Sequence, residues 1–163
     1  MAQKKNYATV IFGCGNHIMG DDGFGPAVVE TLNSQYTLPE TAVAIDAGTA
    51  VREYLFDYLL TTDGRPESIV IIDAVDLENK NPGDVFDIST AAIPLNKIHD
   101  FSLHQFPTVN LLEELVENTG IRVSILVAQV AFIPEEIMPG LSQPLQKAIP
   151  VACEKILQIL SVN

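Results

Sequence analysis

Acidic residues stand where three apolar runs of this chain end. Gly13-Cys14-Gly15-Asn16 follows the run Tyr7 to Phe12 and leads to Asp21 and Asp22. Asp46-Ala47-Gly48-Thr49 follows Thr41 to Ile45, and Asp73-Ala74-Val75-Asp76 follows Ser68 to Ile72. A further candidate, His104, lies in Ser102-Leu103-His104-Gln105. Two carboxylates and one imidazole leave open positions on a divalent ion, as a site that must admit substrate does. A carboxylate beside such an ion can act as a general base toward bound water. Each residue also has a plainer role. Asp22 can cap a helix, Asp73 can end a strand, and Asp46 can close an Asx-turn with its own backbone. His104, like His99, can be a surface or hydrogen-bonded histidine. The joint placement of these residues favours a shared site.

That placement depends on the elements that carry them. Tyr7–Phe12, Thr41–Ile45, Ser68–Ile72 and Ile121–Val130 read as buried strands, with Val85–Ile88 extending the sheet edge. Helical apolar stripes alternate with them. They run through Phe24, Ala27, Val28, Thr31 and Leu32; Val51, Tyr54, Leu55, Tyr58 and Leu59; Val109, Leu112, Leu115 and Val116; and Leu145, Ala148, Ile149, Ala152, Ile156 and Ile159. The stretch from Ala91 to Phe101 reads as a long connection. Strands separated by helices imply right-handed crossovers and a mainly parallel sheet, covered on both faces. In such a sheet the ligand site lies outside the carboxyl ends of the strands. The three acidic loops therefore emerge on one edge.

Composition narrows the function. The chain has 163 residues, a length that predicts one domain spanning 1–163. Apolar residues make up 47%, enough to fill a core. With 9 Lys+Arg against 21 Asp+Glu the net charge is -12, which argues against nucleic acid and anionic membranes as partners. The apolar run before Gly13 is too short for a secretory segment, and no window is long enough for a membrane helix. A cytoplasmic location is expected. Cys14 and Cys153 form no CxxC and no disulfide framework, and Cys14 reads as a buried, inert thiol. Gly13-x-Gly15 suggests a dinucleotide loop, but the next glycine is Gly20, and Asp21 and Asp22 would repel a pyrophosphate.

Taken in order, Gly13-x-Gly15-Asn16-x-x-x-x-Asp21-Asp22-Gly23-x-Gly25, Asp46-Ala47-Gly48-Thr49, Ile72-Asp73-Ala74-Val75 and Ser102-x-His104 before Leu111-Leu112 resemble the four motifs of the hydrogenase maturation proteases. The resemblance implies an α/β, three-layer fold: a twisted, mostly parallel sheet flanked by helices on both faces, phosphorylase/hydrolase-like. It implies an endopeptidase that removes the carboxy-terminal extension of a nickel–iron hydrogenase large-subunit precursor after nickel insertion. It also implies Asp22, Asp73 and His104 as the residues that engage the precursor's nickel, with other divalent ions able to stand in for it. Asp46 and Asp73 are the candidate catalytic carboxylates of an aspartyl-type site. Two departures are visible. Asp22 stands where many members have Glu, and Ala47 replaces one of two glycines. Asp at the first position resembles the branch serving coenzyme F420-reducing hydrogenases. Two alternatives lack proteolysis: a nonenzymatic nickel-sensing or metal-delivery module using Asp22, Asp73 and His104, and a Rossmann-like nucleotide binder using Gly13 and Gly15.

Overall fold

Long apolar runs can be strands only where both faces of a sheet are covered, and here they are. The computed structural model describes residues 6–90 and 109–162. Its sheet consists of β1 (Thr9–Cys14), β2 (Ala42–Gly48), β3 (Ser68–Val75), β4 (Val85–Ile88) and β5 (Arg122–Gln129), in the order β2-β1-β3-β5-β4. β2, β1, β3 and β5 pair in parallel, and β4 runs antiparallel to β5 at the edge. The helices are α1 (Phe24–Gln35), α2 (Val51–Leu60), α3 (Val109–Thr119) and α4 (Gln143–Val162). A single 3-10 turn, Gly20–Gly23, precedes α1.

Strand alternation divides the core in two. Phe12, Ile69, Ile71 and Val127 meet Val51 and Leu55 of α2 and Leu111, Leu112 and Leu115 of α3. Ile11, Val70, Ile72 and Leu126 meet Val28 and Leu32 of α1 and Leu145, Ala152 and Ile156 of α4. The architecture is therefore the expected three-layer α/β one, and Val85–Ile88 is the edge strand. Four local expectations change. β2 runs past Ile45 to Gly48, so Asp46 lies within it. β1 runs on through Gly13 to Cys14. β3 runs past Ile72 to Val75, so Asp73 does not end the strand but pairs with Val127 inside it. The N-cap of α1 is Gly23, with no side-chain cap bond, so Asp22 is not its cap. The long connection from Ala91, and with it His99 and His104, lies outside the described residues.

Gly25 explains how α1 reaches the strand ends. A Cβ there would collide with the backbone of Cys14 and with the carbonyl of Ile72. The first turn of α1 thus rests directly on β1 and β3, and the turn carrying Asp22 is held over the carboxyl edge. Gly13, of the Gly13-x-Gly15 pair that suggested a nucleotide loop, serves this close packing too, since a Cβ there would meet the Gly25 carbonyl. We expect Gly25→Ala to cost about 3 kcal/mol, because backbone must shift. Gly120→Ala, which meets no neighbour but has φ of 72°, should cost about 1 kcal/mol. Denaturant melts of the two variants check the order.

Candidate functional site

The carboxyl ends of β1, β2 and β3 lie side by side, and the register fixes where their acids fall. Asp46 of β2 is opposite Gly13, while Asp73 follows Ile72, the other partner of Gly13. Alternation sends the two acids to opposite faces. Asp73 shares the face of Ile71 and Val75, under α2 and α3. Asp46 shares the face of Ala44, beside α1.

Asp73 is 1% exposed. The Ala74 N–H donates to its Oδ1 at 2.8 Å. Burial pushes the carboxyl well above the usual carboxylate range; the Ala74 N–H draws it back, and the negative charge of Asp22 pushes it further up. Asp22 is buried to the same degree, in the 3-10 turn, and accepts from the Asn16 N–H at 3.0 Å. The Asn16 side chain in turn accepts from the Ile18 N–H at 3.2 Å. Gly15 passes against the Asp22 carbonyl, where a Cβ would not fit. The structure thus brings Asp22 and Asp73 into electrostatic contact at one sheet edge.

Asp46 is exposed, and its Oδ1 accepts from the Gly48 N–H at 2.9 Å, so the Asx-turn is formed. Its carboxylate also lines a cavity of about 480 Å³ together with His17, Glu30, Asn33 and Leu141. Cys14 lies on the face of Asp73 and feels the charge of both acids. Burial, then Asp73, then Asp46 push its thiol well above its ordinary value, so it is no thiolate nucleophile. Among the described residues, no three His, Cys, Asp or Glu side chains are gathered to hold an ion. Asp22 and Asp73 are the expected ligands that lie within those residues. The start of α3 is also at the carboxyl edge, because Gly120 and Ile121 carry its far end directly to Arg122, the partner of Ser68.

Asp21 was not singled out by sequence, yet it is 1% exposed and heavily bonded. It accepts from the Ala131 N–H at 2.8 Å, the Ser142 N–H at 2.6 Å and the Ser142 hydroxyl at 2.8 Å. Its donors are over a hundred positions away, so no local pattern could reveal them. Adjacent aspartates thus differ in kind from the acid they accompany: Asp21 is fully engaged by donors, whereas Asp73 has burial and a like charge against it. Between an unfolded carboxylate pKa of about 3.9 and the raised native value, the native state holds the Asp73 proton more tightly. Stability from this group therefore falls as pH rises across that window. Asp73→Asn should raise Tm at about pH 7, and the gain should vanish toward about pH 3.9. Asp21→Asn should lower stability by about 2 kcal/mol, since the amide turns a donor toward donors. Melting curves across pH check both signs.

The chain matches the hydrogenase maturation protease family over residues 26–159. It is 36% identical over 149 residues to a Methanocaldococcus jannaschii protein provisionally named a hydrogenase maturation protease, covering 91% of this chain and 93% of that one. It is 29% identical over 157 residues to the coenzyme F420 hydrogenase subunit delta of Methanothermobacter thermautotrophicus, covering 94% and 95%. The solution structure of the Escherichia coli endopeptidase HycI superposes with a TM-score of 0.69 at 27% identity, covering 91% of this chain and 88% of that one. Sheet order, motif order and these matches agree: the chain belongs to the hydrogenase maturation protease family.

Proposed function

We propose that this chain, working as one domain over residues 1–163, removes the carboxy-terminal extension of a nickel–iron hydrogenase large-subunit precursor once nickel has been inserted. The observation that carries this reading is the buried Asp73 beside the buried Asp22 at the carboxyl edge, its carboxyl raised by burial and further by the charge of Asp22, in a member of this protease family. A buried carboxyl within reach of another acid's charge is a poor arrangement for stability alone. A divalent cation brought by the substrate offsets both the repulsion and the lost hydration. We assign His104, in the fourth motif, as the neutral donor that completes the grip on that nickel. The metal then marks a precursor as ready and fixes its tail over the sheet edge.

Hydrolysis of the scissile peptide needs a base for water and an acid for the leaving amine. We assign the base to Asp46: its Oδ1 is held by the Gly48 N–H, which orients the carboxylate toward the cavity. Asp46 takes a proton from the attacking water as the new C–O bond forms at the carbonyl carbon. It returns that proton to the amine nitrogen as the C–N bond breaks. Asp73, from the other face of the sheet, acts on the nickel-bearing part of the substrate. The relative serving a coenzyme F420 hydrogenase, together with Asp22 in place of Glu, points to a precursor of that hydrogenase class. A cytoplasmic setting fits an intracellular metal-insertion step, and no helix among the described residues is long and apolar enough to cross a membrane.

Mass spectrometry of a nickel-loaded precursor incubated with the chain tests the reading, with loss of the tail as the expected result. Asp73→Asn should reduce processing by at least about a hundredfold while the fold persists. Asp46→Asn keeps the Asx-turn but cannot accept the proton, and should lose about a hundredfold in kcat. Processing at wild-type rate by Asp73→Asn would reduce Asp73 to a structural residue. Calorimetry with free nickel should show weaker binding as pH falls through about 6.5, because only neutral imidazole ligates. Undiminished binding in His104→Ala would remove His104 from the site.

A further inference from the structure

The segment from Ala131 to Ser142 leaves β5 at the same edge as Asp73 and returns to α4. It is an exposed loop with its two ends drawn together, because one buried carboxylate, Asp21, accepts from the N–H groups of both Ala131 and Ser142. Its middle is fastened as well. The Met138 N–H donates to the Ile18 carbonyl at 2.9 Å, and the Gly20 N–H donates to the Met138 carbonyl at 2.8 Å. The loop is thus bound at three points to the segment that carries Asp22. What it holds in place is apolar: Phe132 is 54% exposed, Ile137 71% and Met138 49%. Exposed apolar side chains scattered singly need no explanation, but three on one pinned loop do. Pinning does not shelter these side chains from water. It removes the ordering cost that a partner would otherwise meet.

The partner follows from what lies beside the loop. Leu141 and Gly140 form one wall of the cavity of about 480 Å³ whose other walls include Glu30, His17 and Asp46. Ile137 and Met138 stand only two or three positions before Gly140, so the exposed apolar positions adjoin the groove that reaches the candidate general base. A molecule whose tail enters that groove must rest its body on the ridge. Glu135 and Glu136 flank the ridge and Glu30 and Asp46 the groove, within a chain of net charge -12, so the complementary surface is apolar with basic side chains around it.

We propose that loop 131–142, pinned by Asp21, is the docking ridge for the large-subunit precursor, which lays an apolar, basic-rimmed surface on Phe132, Ile137 and Met138 and its tail in the adjoining groove. The proposal rests on the reading of function above. Asp21 is on this account a positioning residue, acting through the loop rather than on the reacting atoms.

The test uses the full chain and a nickel-loaded precursor. Ile137→Glu with Met138→Glu changes exposed side chains only and leaves the Met138 backbone bonds in place. It should raise KM for the precursor about tenfold, with kcat within about twofold and Tm unchanged. Leu60→Glu, at an 80% exposed position on α2, should behave as wild type. An unchanged KM in the double variant overturns the ridge while leaving the protease reading intact. Should the wild type fail to cut the precursor, the reading of function fails by itself. The ridge is then judged by pull-down of the same precursor, and equal retention by wild type and double variant, or none by either, overturns it.

Discussion

The contact between the backbone of α1 and the backbones of two strands governs everything around this site. Gly25 has no Cβ, so the helix can settle until its first turn touches Cys14 and Ile72. A helix–sheet contact through side chains would hold α1 several ångströms farther out. The turn Gly20–Gly23 would move with it, since it leads straight into the helix. Asp22 could then no longer press its charge on Asp73, and Asp21 could no longer reach Ala131 and Ser142. One missing methyl group therefore sets the spacing of the carboxylate pair and the closure of the loop beyond it. The cost falls on tolerance: such a position accepts no side chain at all.

Burial gives three neighbouring acids three different characters. Asp21 has its oxygens engaged by donors from the loop ends, which is how a buried charge becomes a structural bolt. Asp73 accepts from the Ala74 N–H, against full burial and the charge of Asp22, and its proton is held correspondingly tightly. Asp46, on the opposite face, is exposed and oriented by a local turn. A protein selecting only for stability would not keep the second arrangement, because replacing Asp73 by a neutral isostere relieves it. The strain is intelligible if the pair's ordinary business is with a cation that arrives from outside.

Much of this was legible in the sequence, because the fold is written in local patterns. Apolar runs gave the strands, helical stripes gave the helices, and the crossover rule put the ends of β1, β2 and β3 on one edge. The errors cluster at the strand ends. Asp73 looks like a terminator because polarity interrupts the apolar run, yet the ladder to β5 continues through it, so hydrogen bonding outlasts hydrophobicity by three residues. Asp22 looks like a cap because it precedes a helix, but its oxygen is spent on Asn16 in the loop before it. Asp21 looks redundant beside Asp22, since its partners are distant in sequence. Buried carboxylates break the local rules that find ordinary ones, and that is where reading by periodicity gives way.

The two faces of the sheet edge also separate the two acids to which the proposed function gives different roles. Asp46 and Asp73 flank β1 from β2 and β3, two strand spacings apart, or roughly 10 Å. One carboxylate cannot serve both a metal bound on the α2–α3 side and a water attacking on the α1 side over that distance. A peptide lying across the strand ends can, however, present its metal-bearing segment to one face and its scissile bond to the other. The separation then acts as a ruler. On the proposed roles, a precursor without nickel would offer nothing to Asp73, and its scissile bond would gain no fixed position near Asp46. Under that proposal, placing the acids on opposite faces couples the order of two maturation steps to the strand spacing of the sheet.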